Sequence, residues 1–91
     1  MAQATKTTVV SAAASLAALL KNAPPSERRE KALYHLDRLQ SAVQASHQEA
    51  VRFAAFTINK TVHDAAAEWG PDVSGAMEAL RNELAAHGHE F

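Results

Sequence analysis

Residues 26–69 read SERREKALYHLDRLQSAVQASHQEAVRFAAFTINKTVHDAAAEW, a stretch of 44 residues without glycine or proline. Those two residues are the ones that most often interrupt a helix, so the whole stretch is compatible with helix. Apolar side chains recur along it at intervals of three and four residues, the period of a helix with one buried face. They are Leu33, Leu36, Leu39, Val43, Ala50, Val51, Ala54, Ile58, Val62, Ala65 and Trp69. The stretch therefore predicts an all-α fold.

The segments on either side each predict a further helix. The first runs from Thr5 to Lys21 and ends before Pro24-Pro25, and Ser26 is then the expected N-cap of the central stretch. The last runs from Asp72 to His87, between Gly70-Pro71 and Gly88. We expect a single helical domain, 1–91, with frayed ends at 1–4 and 88–91. The expected buried residues are Val9, Ala13, Leu16 and Leu20 in the first helix and Val73, Ala76, Met77, Leu80 and Leu84 in the last.

The central stretch is compatible with one helix or two. We favour one, because neither Gly nor Asn stands before Ser46 to end a helix. A helix of 44 residues would be about 66 Å long, so a three-helix bundle would leave apolar surface uncovered unless the chain dimerised. The alternative is a break near Ser46, where Ser46-His47-Gln48-Glu49 fits a capping box, which would give a four-helix bundle. The uncovered flank of the long helix would comprise Phe53, Ala55, Phe56 and Ala66.

Three aromatic residues are candidates for binding a partner. Phe53 and Phe56 lie three residues apart in an apolar environment, so we predict that both are buried and that at least one lies between two copies of the chain. Trp69 stands directly before Gly70-Pro71, where filling the core at a helix end is a more common role than forming an exposed hot spot.

Composition excludes several classes of function. The chain has no cysteine, which removes disulfide scaffolds, thiolate metal sites and thiol nucleophiles. The longest apolar stretch covers 9–20, which is shorter than the roughly 20 residues of a transmembrane helix. Lys21 follows it, where a signal peptide would need small residues before its cleavage site. We therefore expect a cytoplasmic protein without a membrane partner.

No pattern of residues predicts catalysis or a physiological metal site. There is no H-E-x-x-H sequence, no nucleophile–base pair and no glycine-rich phosphate loop, so we expect neither an enzyme nor a cofactor. His47 is expected to be partly buried on the apolar stripe. The tail 87–90, with Glu83 one turn earlier, could hold a divalent metal only weakly and incidentally. The chain contains five histidines: His35, His47, His63, His87 and His89.

These observations favour a non-catalytic protein–protein interaction module that self-associates. Small adaptors, scaffolding proteins and phage-encoded inhibitors of host proteins have this character, and the bias toward Ala, Arg and His is compatible with a bacterial or phage gene. The alternative is a nucleic-acid-associated protein that uses a basic helix face, although a net charge of −1 disfavours it. That face would comprise Arg28, Arg29, Lys31 and Arg38.

Overall fold

The computed structural model describes residues 2–89 and their side chains from Thr8 onward. Met1, Glu90 and Phe91, which belong to the ends predicted to fray, lie outside this range. The described chain is helical, which confirms the all-α prediction, but it forms four helices rather than three. They are α1 (Ala2–Lys21), α2 (Glu27–Gln44), α3 (Gln48–Asp64) and α4 (Ala66–Ala86).

The central stretch breaks because Ser46 adopts the left-handed backbone conformation, with φ 58°. The Ser46 amide donates to the Val43 carbonyl at 3.1 Å, and the His47 amide donates to the Ala42 carbonyl at 2.9 Å. These two hydrogen bonds satisfy carbonyls at the end of α2, in a type of helix ending that usually has Gly at the left-handed position. The favoured prediction of one continuous helix is therefore wrong. It assumed that only Gly or Asn would end the helix in a left-handed conformation, and Ser46 adopts that conformation instead.

The N-cap of α3 is His47, not Ser46. Its Nδ1 accepts a hydrogen bond from the Ala50 amide at 3.2 Å, which is the role that the capping-box pattern assigned to the Ser46 hydroxyl. His47 is exposed, so the expectation that it is partly buried on an apolar stripe is also wrong. The break moves it from a helix face to a helix end. At the start of α2, by contrast, the Ser26 hydroxyl accepts from the Arg29 amide at 3.0 Å, as predicted.

We expect Ser46→Gly to stabilise the protein by about 0.5–1 kcal/mol, because glycine adopts a left-handed conformation without the steric cost of a Cβ atom. Gly88 fills the equivalent position after α4, with φ 87°. Ser46→Ala keeps the Cβ atom and is the matched control, expected to unfold near the wild-type temperature. Thermal unfolding followed by circular dichroism measures both. An unchanged midpoint for Ser46→Gly would contradict the presence of strain at Ser46.

The boundary predicted at Gly70-Pro71 is a kink within α4. Ala65 alone separates α3 from α4, and Gly70 then departs from helical geometry, with φ 84° and ψ 176°. Pro71 follows at a position equivalent to the first turn of a helix, where its missing N–H is tolerated. The main body of α4 therefore begins close to the predicted residue, Asp72.

All four helices contribute to one apolar core. α1 packs against α2 and α4, and α3 packs against the same two helices. Because the core-facing side of each helix is covered within one copy, the need for dimerisation that a 66 Å helix would create no longer applies. Self-association stays a prediction that rests on other features. The largest fully buried side chains are Leu16, Leu20, Leu36, Leu39, Ile58, Leu80, Leu84, Val9 and Val51.

Candidate protein-binding surface

Three large apolar side chains of the described residues are exposed, and they lie on the two neighbouring helices α2 and α3. Tyr34 of α2 is 58% exposed, while Phe53 and Phe56 of α3 are 68% and 56% exposed. Side chains of this kind are enriched where proteins bind each other, because they bury a large apolar area at little entropic cost. Together with His35 they form what we call the aromatic surface.

His35 connects the two helices across this surface. Its ring centre lies 5.3 Å from that of Tyr34 and 6.4 Å from that of Phe53, both in edge-to-face orientation. The guanidinium carbon of Arg38 lies 5.8 Å from the centre of the Tyr34 ring, within the range of a cation–π interaction. The exposed rings of Tyr34 and Phe53 are therefore linked through contacts with side chains of α2.

Helical phase explains why the two phenylalanines are exposed. The buried residues Val51, Ala55, Ile58 and Val62 follow one another at spacings of four, three and four along α3. Phe53 and Phe56 fall on the opposite side of the helix, so the prediction that both are buried is wrong. That prediction weighed the apolar sequence neighbours of the two residues rather than their angle around the helix. Of the other residues on the expected uncovered flank, Ala55 is buried and Ala66 is exposed.

Tyr34 was not among the candidates found in the sequence. It lies between Leu33 and Leu36 of the predicted apolar stripe, and Leu36 is buried. One signal could have identified Tyr34: it is a large aromatic residue on a different side of the helix from the leucine stripe.

A shallow groove with a volume of about 500 Å³ runs between α2 and α3 beside the aromatic surface. Tyr34, His35 and Phe53 form part of its lining, and Arg38 and Asp37 carry its charges. Partial burial lowers the pKa of His35, and the positive charges of Lys31 and Arg38 lower it further. The groove thus combines apolar and aromatic side chains with one negative and one positive charge.

The structure removes one residue, Arg29, from the predicted basic face. The Arg29 side chain is only 18% exposed; its Nη1 donates to the Ala23 carbonyl at 2.8 Å, and its Nη2 lies 3.2 Å from the Glu30 carboxylate. Arg28 lies 3.6 Å from the Glu68 carboxylate. Lys31 and Arg38 are exposed on α2. Arg29 therefore holds the α1–α2 connection and does not share a surface with the other three cations.

Trp69 is 8% exposed and belongs to the core, the role that its position before Gly70 favours. It therefore adds nothing to an accessible binding surface. Its Nε1 is buried without a hydrogen-bond partner among the described residues.

The histidines form no cluster with carboxylates that could hold a metal within residues 2–89. Nε2 of His87 lies 3.9 Å from the Glu83 carboxylate and 3.4 Å from the Thr8 hydroxyl. Burial lowers the pKa of His89, and so do the positive charges of His87 and Arg52. Glu90, the remaining member of the predicted weak metal site, lies outside the described residues.

Comparison with known proteins gives no match to a family model, to a curated protein or to a solved structure. Within the described part of the chain, none of the helices combines the length and the apolar character needed to cross a bilayer.

Proposed function

We propose that this chain is a non-catalytic protein–protein interaction module that self-associates through the aromatic surface. The observation that carries the proposal is the exposure of Tyr34, Phe53 and Phe56 on adjacent helices of a fold whose core is already covered. An exposed apolar patch is unfavourable in water unless a partner covers it, and such patches mark interaction sites.

The composition of the surface supports binding rather than chemistry. Aromatic residues and arginine are the residue types over-represented at the centres of protein interfaces. His35 contacts the rings of Tyr34 and Phe53, and the Arg38 guanidinium lies over the same Tyr34 ring. The aromatic side chains among them are rigid and lose little freedom when a partner orders them.

The proposal is tested by the double variant Phe53→Ser/Phe56→Ser. Both rings are more than half exposed, so the variant should stay folded, with an unfolding free energy within about 1 kcal/mol of wild type. Sedimentation equilibrium over a wide concentration range should show self-association of the wild type and a 9.8 kDa monomer for the variant. Glu78→Ser on the exposed side of α4 is the control and should associate like the wild type.

Association that is equally strong in the wild type and in the folded double variant would contradict the proposal. The wild type, the double variant and Glu78→Ser can also be used as baits in extracts of the native host, which extends the test to other partners. A partner that depends on the aromatic surface is retained by the wild type and by Glu78→Ser but lost by the double variant.

Nucleic-acid binding ranks second as a function. Lys31 and Arg38 are exposed and support it, whereas the contacts of Arg28 with Glu68 and of Arg29 with Ala23 and Glu30 weigh against a shared basic face. If it occurs, binding to duplex DNA should weaken steeply as salt concentration rises.

A further inference from the structure

The exposed side of α3 carries a second stripe of evenly spaced residues. Glu49, Phe53, Phe56 and Lys60 follow one another at spacings of four, three and four, and all four are exposed. At about 100° per residue, these positions fall within roughly 60° of each other around the helix. This spacing is the one that places side chains along a seam between two packed helices.

We call these four residues the outer stripe. The two ends of the outer stripe carry opposite charges, so one end complements the other. Its centre is two phenylalanines, and its ends are one acidic and one basic residue. Two antiparallel copies of α3 related by a two-fold axis would bring Phe53 opposite Phe56 of the second copy. The same axis would bring Glu49 opposite Lys60 of the second copy, at both ends of the seam.

We propose that two copies of this chain pair through the outer stripe of α3 in antiparallel orientation, with the phenylalanines at the centre and a Glu49–Lys60 ion pair at each end. This inference rests on the proposed function and names its partner. A two-fold interface requires a surface that complements itself, and the charges of the outer stripe meet that requirement only when the helices are antiparallel. In a parallel pair, Glu49 would face Glu49 of the second copy and Lys60 would face Lys60, so like charges would meet.

The local contacts of the charged ends are compatible with this pairing. Nζ of Lys60 lies 3.8 Å from the Asp64 carboxylate one turn away, and both side chains are more than half exposed. An exposed ion pair of this kind is weak, so Lys60 can turn toward a second copy at little cost. Glu49 lines a shallow depression with Arg52 and both phenylalanines, so the acidic end is continuous with the apolar centre.

Charge reversal tests the orientation directly. Glu49→Lys leaves two cations at the ends of the stripe, and Lys60→Glu leaves two anions. Each variant alone should dimerise about tenfold or more weakly than wild type, because both end contacts become repulsive. An equimolar mixture of the two should regain dimers, since each end then pairs a lysine with a glutamate. The double variant Glu49→Lys/Lys60→Glu should also dimerise, because it restores both pairs in reverse.

Sedimentation equilibrium gives the dissociation constants, and circular dichroism verifies that each variant is folded. A mixture that forms no more dimer than its components would overturn the antiparallel arrangement, as would single reversals that dimerise like wild type. A wild-type chain that stays monomeric at high concentration would overturn the pairing itself. If Phe53→Ser/Phe56→Ser abolishes association and the reversals do not, the proposed function stands and this inference fails.

Discussion

Ile58→Ala should lower the free energy of unfolding by about 2–5 kcal/mol, the largest effect that we expect from a conservative change in α3. The Ile58 side chain is fully buried, so its truncation removes apolar contacts and leaves a cavity that the neighbouring helices fill only in part. In a domain of this size, each kcal/mol lowers the unfolding midpoint by about 4–8 °C, so a fall of at least about 8 °C is expected. Thermal and urea unfolding followed by circular dichroism measure the change.

The control for this prediction lies two residues away on the same helix. Phe56→Ala removes a larger side chain, but one that is 56% exposed, so its unfolding free energy should change by about 0.5 kcal/mol or less when measured on the monomer. A loss at Phe56 equal to that at Ile58 would contradict the assignment of the two residues to opposite sides of α3.

Gly70→Ala should lower the free energy of unfolding by about 1–3 kcal/mol, the second largest effect that we expect. Gly70 has φ 84° and ψ 176°, a backbone region that is almost exclusive to glycine. A Cβ atom built at this position meets no other atom within 4 Å, so the cost comes from the backbone conformation and not from a clash. The kink at Gly70 in α4, the helix that packs against α1, would have to be rebuilt or strained.

Gly75→Ala tests this explanation with the same substitution in the same helix. Gly75 lies within α4, and a Cβ atom there also meets nothing within 4 Å, but no unusual φ accompanies it. We expect Gly75→Ala to stabilise the protein by about 0.4–1 kcal/mol, because alanine restricts the unfolded chain and favours helix. Chemical unfolding of the two variants side by side should give changes of opposite sign. Equal losses would show that helix packing rather than backbone geometry governs both positions.

The sequence predicts the core of this protein better than it predicts its connections. The expected stripes of α1 and α4 are buried, apart from Ala76, which is partly buried. A long amphipathic pattern predicts burial well because only one side of the helix is apolar enough to face the core. The break at Ser46 was not predictable with the same security. The left-handed conformation is locally unfavourable for a residue other than glycine, so the sequence gives little reason to expect it at Ser46.

The sequence predicts only part of the candidate surface: it identifies Phe53 and Phe56 but not Tyr34, and it does not predict that the two phenylalanines are exposed. The spacing and the apolar neighbours of Phe53 and Phe56 identify them as candidates, but those same neighbours lead to the wrong inference that both are buried. Once the break at Ser46 sets where α3 begins, Val51, Ala55, Ile58 and Val62 determine the buried side, and the phenylalanines must face outward. The contact of His35 with Phe53 joins residues 18 positions apart in sequence, so it depended on the packing of α2 against α3.

The two stripes of α3 share one spacing but point in opposite directions, and this has a consequence for how such a chain can evolve. The inner stripe consists of the buried residues Val51, Ala55, Ile58 and Val62, and the fold constrains substitutions there. Substitutions in the outer stripe change only the exposed surface of the helix. The outer residues can therefore diverge rapidly while the scaffold persists. If copies of the chain pair through the outer stripe as proposed, paralogues that differ only at 49, 53, 56 and 60 would pair with their own copies rather than with one another.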